Sequence, residues 1–167
     1  MDITSDMVKE LRAQSGAGIM DCRNALLATD GDTKKALVIL KEKGLLKAKK
    51  KAERAAGQGI VEAYIHTAGR IGAMVEINCE TDFVARTDEF RELAHCLAMQ
   101  VAALNPQYVS KDEIPEDVDV SPEEVCLLLQ QYIKEPDKTV NDVIIENIAK
   151  VGENIQIRRF VRYELGE

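Results

Sequence analysis

The chain of 167 residues has no tryptophan and only three phenylalanines, four tyrosines, two histidines and four prolines. A core built from it is aliphatic, and little aromatic surface is left on which a nucleic-acid base could stack. No run approaches the roughly 18 consecutive apolar residues of a membrane span. The four cysteines, Cys22, Cys79, Cys96 and Cys126, stand far apart with no C-x-x-C pair. They fit neither a clustered zinc site nor the disulfide framework of a small secreted domain. Met1-Asp2-Ile3-Thr4 leads straight into a helical pattern, without the basic and apolar regions of a signal peptide. The expectation is a cytoplasmic protein with reduced thiols. Nothing resembles a P-loop, a nucleophile elbow or a metal-binding helix, so no catalytic residue, cofactor or metal is expected.

Charge is what the sequence has unevenly. Against a net charge of −7, residues 1–57 hold 12 Lys/Arg and 8 Asp/Glu, whereas residues 58–167 hold 10 and 21. The split points to two units with different surfaces, and the acidic total argues against wholesale binding to nucleic acid or anionic membranes.

Three short helices are expected first. Thr4 is placed to cap the first, with Met7, Val8 and Leu11 as its stripe and Ile3 and Val8 at the spacing of a hydrophobic staple. Ser15-Gly16-Ala17-Gly18 breaks it, and a second helix runs from about Ile19 to Ala28, burying Cys22, Ala25 and Leu26. Asp30-Gly31-Asp32 opens a third, Thr33 to Lys43, with Gly44 as its terminator. The domains expected are residues 1–44 as a three-helix module, 45–57 as a basic helical linker and 58–167 as an α+β core.

In that core, Ile60–His66 and Ile71–Cys79 alternate as a hairpin, with Ile71, Ala73, Val75, Ile77 and Cys79 on one face. Thr87 starts a helix with Phe90, Leu93, Ala94, Leu97 and Val101 in one stripe, stopped by Asn105-Pro106. Residues 110–124, with seven acids and two prolines, read as a surface connection, and Val125–Leu129 has no clear assignment. Thr139 to Asp142 resembles a capping box, and Ile155–Leu165 reads as a third strand. The fold class is α+β, with a three-stranded antiparallel sheet covered by helices on one face. Ile155, Ile157, Val161 and Tyr163 are expected to share a face, with Gly72, Met74 and Ile60 as apolar spots elsewhere.

Several residues invite a functional reading. Cys79, Glu80, Asp82, His66 and His95 hint at a hydrolase or metal site, but Cys79 falls on a core face and His95 off its helix stripe. Lys47-Ala48-Lys49-Lys50-Lys51 reads as a solvated face, or as contact with RNA or an acidic partner. Ile19 and Met20, directly after Gly16-Ala17-Gly18, either close the small bundle or form a hydrophobic contact patch. In Thr81-Asp82-Phe83-Val84-Ala85, the residues alone suggest that Asp82 caps a turn and Phe83 tucks into the core.

Three separated motifs then occur in order: Val8–Arg12 with Gly16-Ala17-Gly18-Ile19-Met20-Asp21-Cys22; Asn78-Cys79-Glu80-Thr81-Asp82-Phe83-Val84-Ala85-Arg86; and Lys138-Thr139-Val140 through Gly152-Glu153-Asn154-Ile155 to Arg158–Arg162. Together they resemble the elongation factor Ts family over nearly the whole chain. The resemblance implies a ubiquitin-associated-like helical module and a core that presents the Thr81–Ala85 loop. It implies elongation factor Tu as partner, no enzymatic activity, and promotion of GDP release by disturbance of the partner's magnesium and phosphate site. Arg12, Ile19 and Met20 would dock on the partner's nucleotide-binding domain, Asp82 and Phe83 would enter beside its magnesium, and Val84 and Ala85 would support the loop. It further implies a homodimer, as in short members of the family, with no direct nucleic-acid or membrane partner. Fuller members carry a helical stretch of a few dozen residues where Ser121–Cys126 crosses directly here. Two rival readings are a ubiquitin-type or peptide-binding module, which leaves residues beyond 44 idle, and an RNA-associated ribosomal factor, which conflicts with the acidic core.

Overall fold

The computed structural model describes residues 3–167; Met1 and Asp2, the start of the stretch read for a leader, lie outside them. Two compact units emerge, one comprising residues up to Glu53 together with Ile145–Asn154, the other Arg54–Ile144 together with Ile155–Glu167.

In the first unit, helices α1 (Ser5–Ser15), α2 (Ile19–Ala28) and α3 (Thr33–Lys51) enclose a core of Val8, Leu11, Cys22, Ala25, Leu26, Ala36 and Leu40. Local chemistry sets their ends. Thr4 accepts from the Met7 amide, and Gly16 closes α1 in the left-handed region at φ 64°, donating to the Arg12 carbonyl. Asp32 accepts from the Lys35 amide at 3.1 Å, and that hydrogen bond holds its carboxyl below the ordinary value.

The third helix differs from expectation. Gly44 does not terminate it; α3 runs on to Lys51 with Gly44 buried in its interior. The physical reason is a neighbour: a Cβ built at Gly44 would lie 3.9 Å from Ala149 and Ile145, so the position sits against another helix rather than in solvent. The basic stretch after Gly44 is thus helical as far as Lys51.

In the second unit, strands β1 (Gln58–Ile65), β2 (Ile71–Cys79) and β5 (Ile155–Glu164) form an antiparallel sheet in the order β1-β2-β5. Helix α4 (Asp82–Ala85) follows β2, and α5 (Asp88–Leu104) packs on all three strands through Phe90, Leu93, Ala94, Leu97 and Val101. Beyond it lie α6 (Pro122–Val125), a small ribbon of β3 (Gln131–Tyr132) and β4 (Glu135–Thr139), and α7 (Val140–Val151). This gives Val125–Leu129 a place between α6 and the ribbon. Buried Gln100 of α5 ties the ribbon down, donating to the Gln131 carbonyl and accepting from the Ile133 amide. The capping box at α7 is reciprocal: Thr139 Oγ1 accepts from the Asp142 amide, and the Asp142 carboxylate accepts from the Thr139 amide.

The faces of β5 also depart from expectation. Its register passes from Ile157 opposite Ile77 to Arg159 opposite Glu76, leaving Arg158 as a bulge residue. The extra residue inverts the alternation. Ile155 and Ile157 are buried, whereas Val161 and Tyr163 fall on the opposite, open face. Ile60, opposite Ile77, belongs to the covered face as well.

Because nothing crowds Gly44 and its backbone is helical, Gly44→Ala is expected to raise stability by about 0.5–1 kcal/mol. Thermal melting checks this; a lower midpoint would mean that the neighbouring helix has no room for a methyl group.

Candidate partner-binding site

Cys79 is fully buried, and all four cysteines are buried thiols. Burial pushes the Cys126 thiol above its ordinary value. His95 is exposed and pairs with Glu62 at 3.0 Å, while His66 Nδ1 meets the Tyr64 hydroxyl at 3.0 Å. Among the described residues, no group of three or more His, Cys, Asp or Glu could hold a metal ion.

The segment after β2 is built to expose an apolar side chain. Cys79 Sγ donates to the Thr81 carbonyl at 3.1 Å, and the same carbonyl accepts from the Ala85 amide to close the first helical turn. Thr81, not Asp82, is the N-cap: its hydroxyl accepts from the Val84 amide at 3.4 Å. A single turn then separates two environments. Val84 and Ala85 are buried, and Phe83, one residue earlier, is 80% exposed. Phe83 does not enter the core, because the helical rotation that turns Val84 and Ala85 inward carries Phe83 outward. Asp82 pairs with Arg86 at 2.8 Å on the exposed side, and Thr87 Oγ1 donates to the Val84 carbonyl before capping α5. The tip therefore offers a ring flanked by a carboxylate and a guanidinium. Sequence reasoning missed Arg86 as Asp82's partner, although their (i, i+4) spacing was the available signal.

In the first unit, Ile19 and Met20 open α2 and are 55% and 61% exposed, so they do not close the bundle. Arg12 is exposed on the last turn of α1. Arg12, Gly16–Gly18, Asp21 and Lys47 line one groove of that unit. Ser15 and Cys22 brace the turn between the helices: Ser15 Oγ accepts from the Ala17 amide, and Cys22 Sγ donates to the Ala17 carbonyl. Each unit thus carries one set of the residues singled out in the sequence, Arg12, Ile19 and Met20 on the first and Thr81 to Ala85 on the second.

The open face of the sheet is a third apolar surface. Val61, Ile65, Met74, Val161 and Tyr163 are exposed there, with Leu165 beyond the end of β5 also exposed.

Comparison with known proteins gives one consistent answer. A family model described as elongation factor TS matches residues 27–123 and 118–167. Elongation factor Ts of Carboxydothermus hydrogenoformans is 52% identical over 195 aligned positions, covering 99% of this chain and 90% of that protein. Those of Syntrophomonas wolfei and Caldanaerobacter subterraneus are each 49% identical over 195 positions, with 99% of this chain and 91% and 98% of theirs covered. Since the alignments exceed the 167 residues present, at least 28 of the 195 positions have no residue here.

The local geometry separates cap from tip. Thr81→Ala removes the N-cap and is expected to cost about 1 kcal/mol, whereas Phe83→Ala, at an exposed position, is expected to stay within about 0.5 kcal/mol. Denaturant unfolding of both variants checks this. A loss of several kcal/mol for Phe83→Ala would put its ring in the core.

Proposed function

We propose that this chain, which belongs to the elongation factor Ts family and so serves translation elongation, is a guanine-nucleotide exchange factor for elongation factor Tu. The observation that carries the reading is Phe83, an exposed ring on a one-turn helix whose following residues are buried. An exposed aromatic on a braced turn loses little conformational entropy when it inserts into a partner. On this reading Asp82 and Phe83 enter the partner beside its magnesium and displace the groups that position the ion. GDP is held by phosphate contacts and by the ion's charge. Once the ion is displaced, phosphate repulsion is poorly compensated and GDP leaves faster. No covalent step is required, so the chain is not an enzyme in the bond-making sense, and it needs no cofactor of its own. The coupling is reciprocal: whatever factor binding costs in GDP affinity, GDP costs in factor affinity.

Arg12, Ile19 and Met20 supply the affinity on this reading. Residues 1–57, the helical module with its basic helical extension, act as the docking part and 58–167 as the part that acts on the nucleotide site, all in the cytoplasm.

A second copy of the chain is the proposed occupant of the open sheet face. Val61, Ile65, Met74, Val161 and Tyr163 lie side by side on three neighbouring strands, and such a face is a liability in a monomer. A two-fold axis through it would cover both copies with the same residues and yield a complex of two factors with two partners.

Two measurements test these readings. Phe83→Ala is expected to slow release of a fluorescent GDP analogue from elongation factor Tu by at least about tenfold, the loss of roughly 1.4 kcal/mol of differential binding. Unchanged release would reject the wedge. Light scattering of the purified chain near micromolar concentration should give twice 18.5 kDa, and a mass near 18.5 kDa would reject the dimer.

A further inference from the structure

We infer that Lys47 is a positioning residue for the Ile19–Met20 edge and acts through Asp21; this rests on the docking role proposed for Ile19 and Met20. The sequence presents Lys47 only as the first member of a basic run. In the structure its Nζ lies 2.8 Å from Asp21 Oδ2, across 26 residues of sequence, with the two side chains 47% and 33% exposed.

The first turn of α2 needs such a tie. Its N-cap is Gly18, which offers no side-chain acceptor to the exposed amides. Its first two side chains, Ile19 and Met20, point outward and contribute nothing to the buried core. Asp21 is the acidic residue of that turn, where a carboxylate interacts favourably with the helix dipole. Lys47 holds this carboxylate from a stretch of α3 with a contact on either side. Three residues before it, Gly44 sits against Ile145 and Ala149, and five residues after it, the Ala52 carbonyl accepts from Asn154 Nδ2 at 3.4 Å. The cation is therefore mounted on a braced helix, and the ion pair transmits that bracing to the docking edge.

The groove also says what happens when Lys47 is lost. Lys9, Arg12, Lys47 and Lys150 line it, and Asp21 is its one acid among the lining residues. Without Lys47, the Asp21 carboxylate is left to the remaining cations. Arg12, itself proposed to reach the partner, is then drawn inward. Lys47 thus holds Ile19 and Met20 in place and keeps Arg12 available.

Titration of the full chain against nucleotide-free elongation factor Tu tests this. Lys47→Ala is expected to weaken binding about 3-fold, within what a half-exposed ion pair supplies, and Lys47→Arg to restore it. In an Asp21→Asn background, Lys47→Ala should change affinity by less than about 1.5-fold, because the carboxylate through which it acts is gone. Thermal melts of each variant separate loosened folding from lost docking. Parental binding by Lys47→Ala overturns the inference. So does an equal loss in both backgrounds, which would mean direct contact between Lys47 and the partner. Met20→Asp is the control on the underlying reading: if it binds like the parent, the docking role of the edge fails and the inference falls with it, whereas weak binding by Met20→Asp beside normal binding by Lys47→Ala rejects Lys47 alone.

Discussion

Burial of two small side chains dictates where the exposed ring goes. Val84 and Ala85 are buried beneath the turn that follows β2. A helix advances about 100° per residue, so Phe83 must leave the surface that Val84 enters. One turn of helix is far too short to be stable alone. It persists because Thr81 caps it from the front, the Cys79 thiol holds the Thr81 carbonyl from below, and Thr87 takes the Val84 carbonyl at the rear. Three hydrogen bonds and two buried side chains thus present one aromatic ring to solvent. The proposed wedge depends on this stiffness, since a floppy tip would lose in ordering what it gained in contact.

The second constraint is the parity of β5. In a strand with period 2, one inserted residue moves every later side chain to the other face. Arg158 is that residue, and its neighbour Arg159 pairs with Glu76 at 2.7 Å beside the bulge. Before it, Ile155 and Ile157 complete the core under α5; after it, Phe160 and Arg162 turn inward, and Val161 and Tyr163 turn out. Arg162 can be accepted on the covered side because its Nε donates to the Ala102 carbonyl and its guanidinium meets Glu164 and Glu167. The bulge thus adds Val161 and Tyr163 to the open face that Val61, Ile65 and Met74 already make apolar, and without it both would lie under α5.

What the sequence made legible follows from how local each determinant is. The caps Thr4, Thr87 and Thr139, the break at Gly16, the stripe of α5 and the hairpin all depend on residues within a few positions of each other, and all were readable. Gly44 is ambiguous locally because a glycine either ends a helix or lies inside one against a neighbour, and only residues about a hundred positions away decide between them. The bulge was invisible because an alternating pattern carries no mark of a skipped pairing. The residues alone place Phe83 inward and only the family resemblance places it outward, since nothing in the segment itself says which face of a single turn is covered. The Lys47–Asp21 pair joins two helices across 26 residues and leaves no spacing signal.

The shorter length of this chain can be understood from the base of its acidic connection. The two matched segments of the family model overlap at residues 118–123, inside that connection. Below it the chain closes on itself. The Gln107 and Tyr108 amides donate to the Val125 carbonyl, and the Leu127 and Leu128 amides donate to the carbonyls of Tyr108 and Val109. Buried Gln130 secures the closure from beneath, donating to the carbonyls of Leu104 and Glu124. An excursion pinned in this way has ends whose separation does not depend on what lies between them. Lengthening it from about 15 residues to about 45 raises the closure cost by only about 1 kcal/mol. On this closure argument the connection is free to vary in length while α5, the sheet and the turn bearing Phe83 keep their geometry.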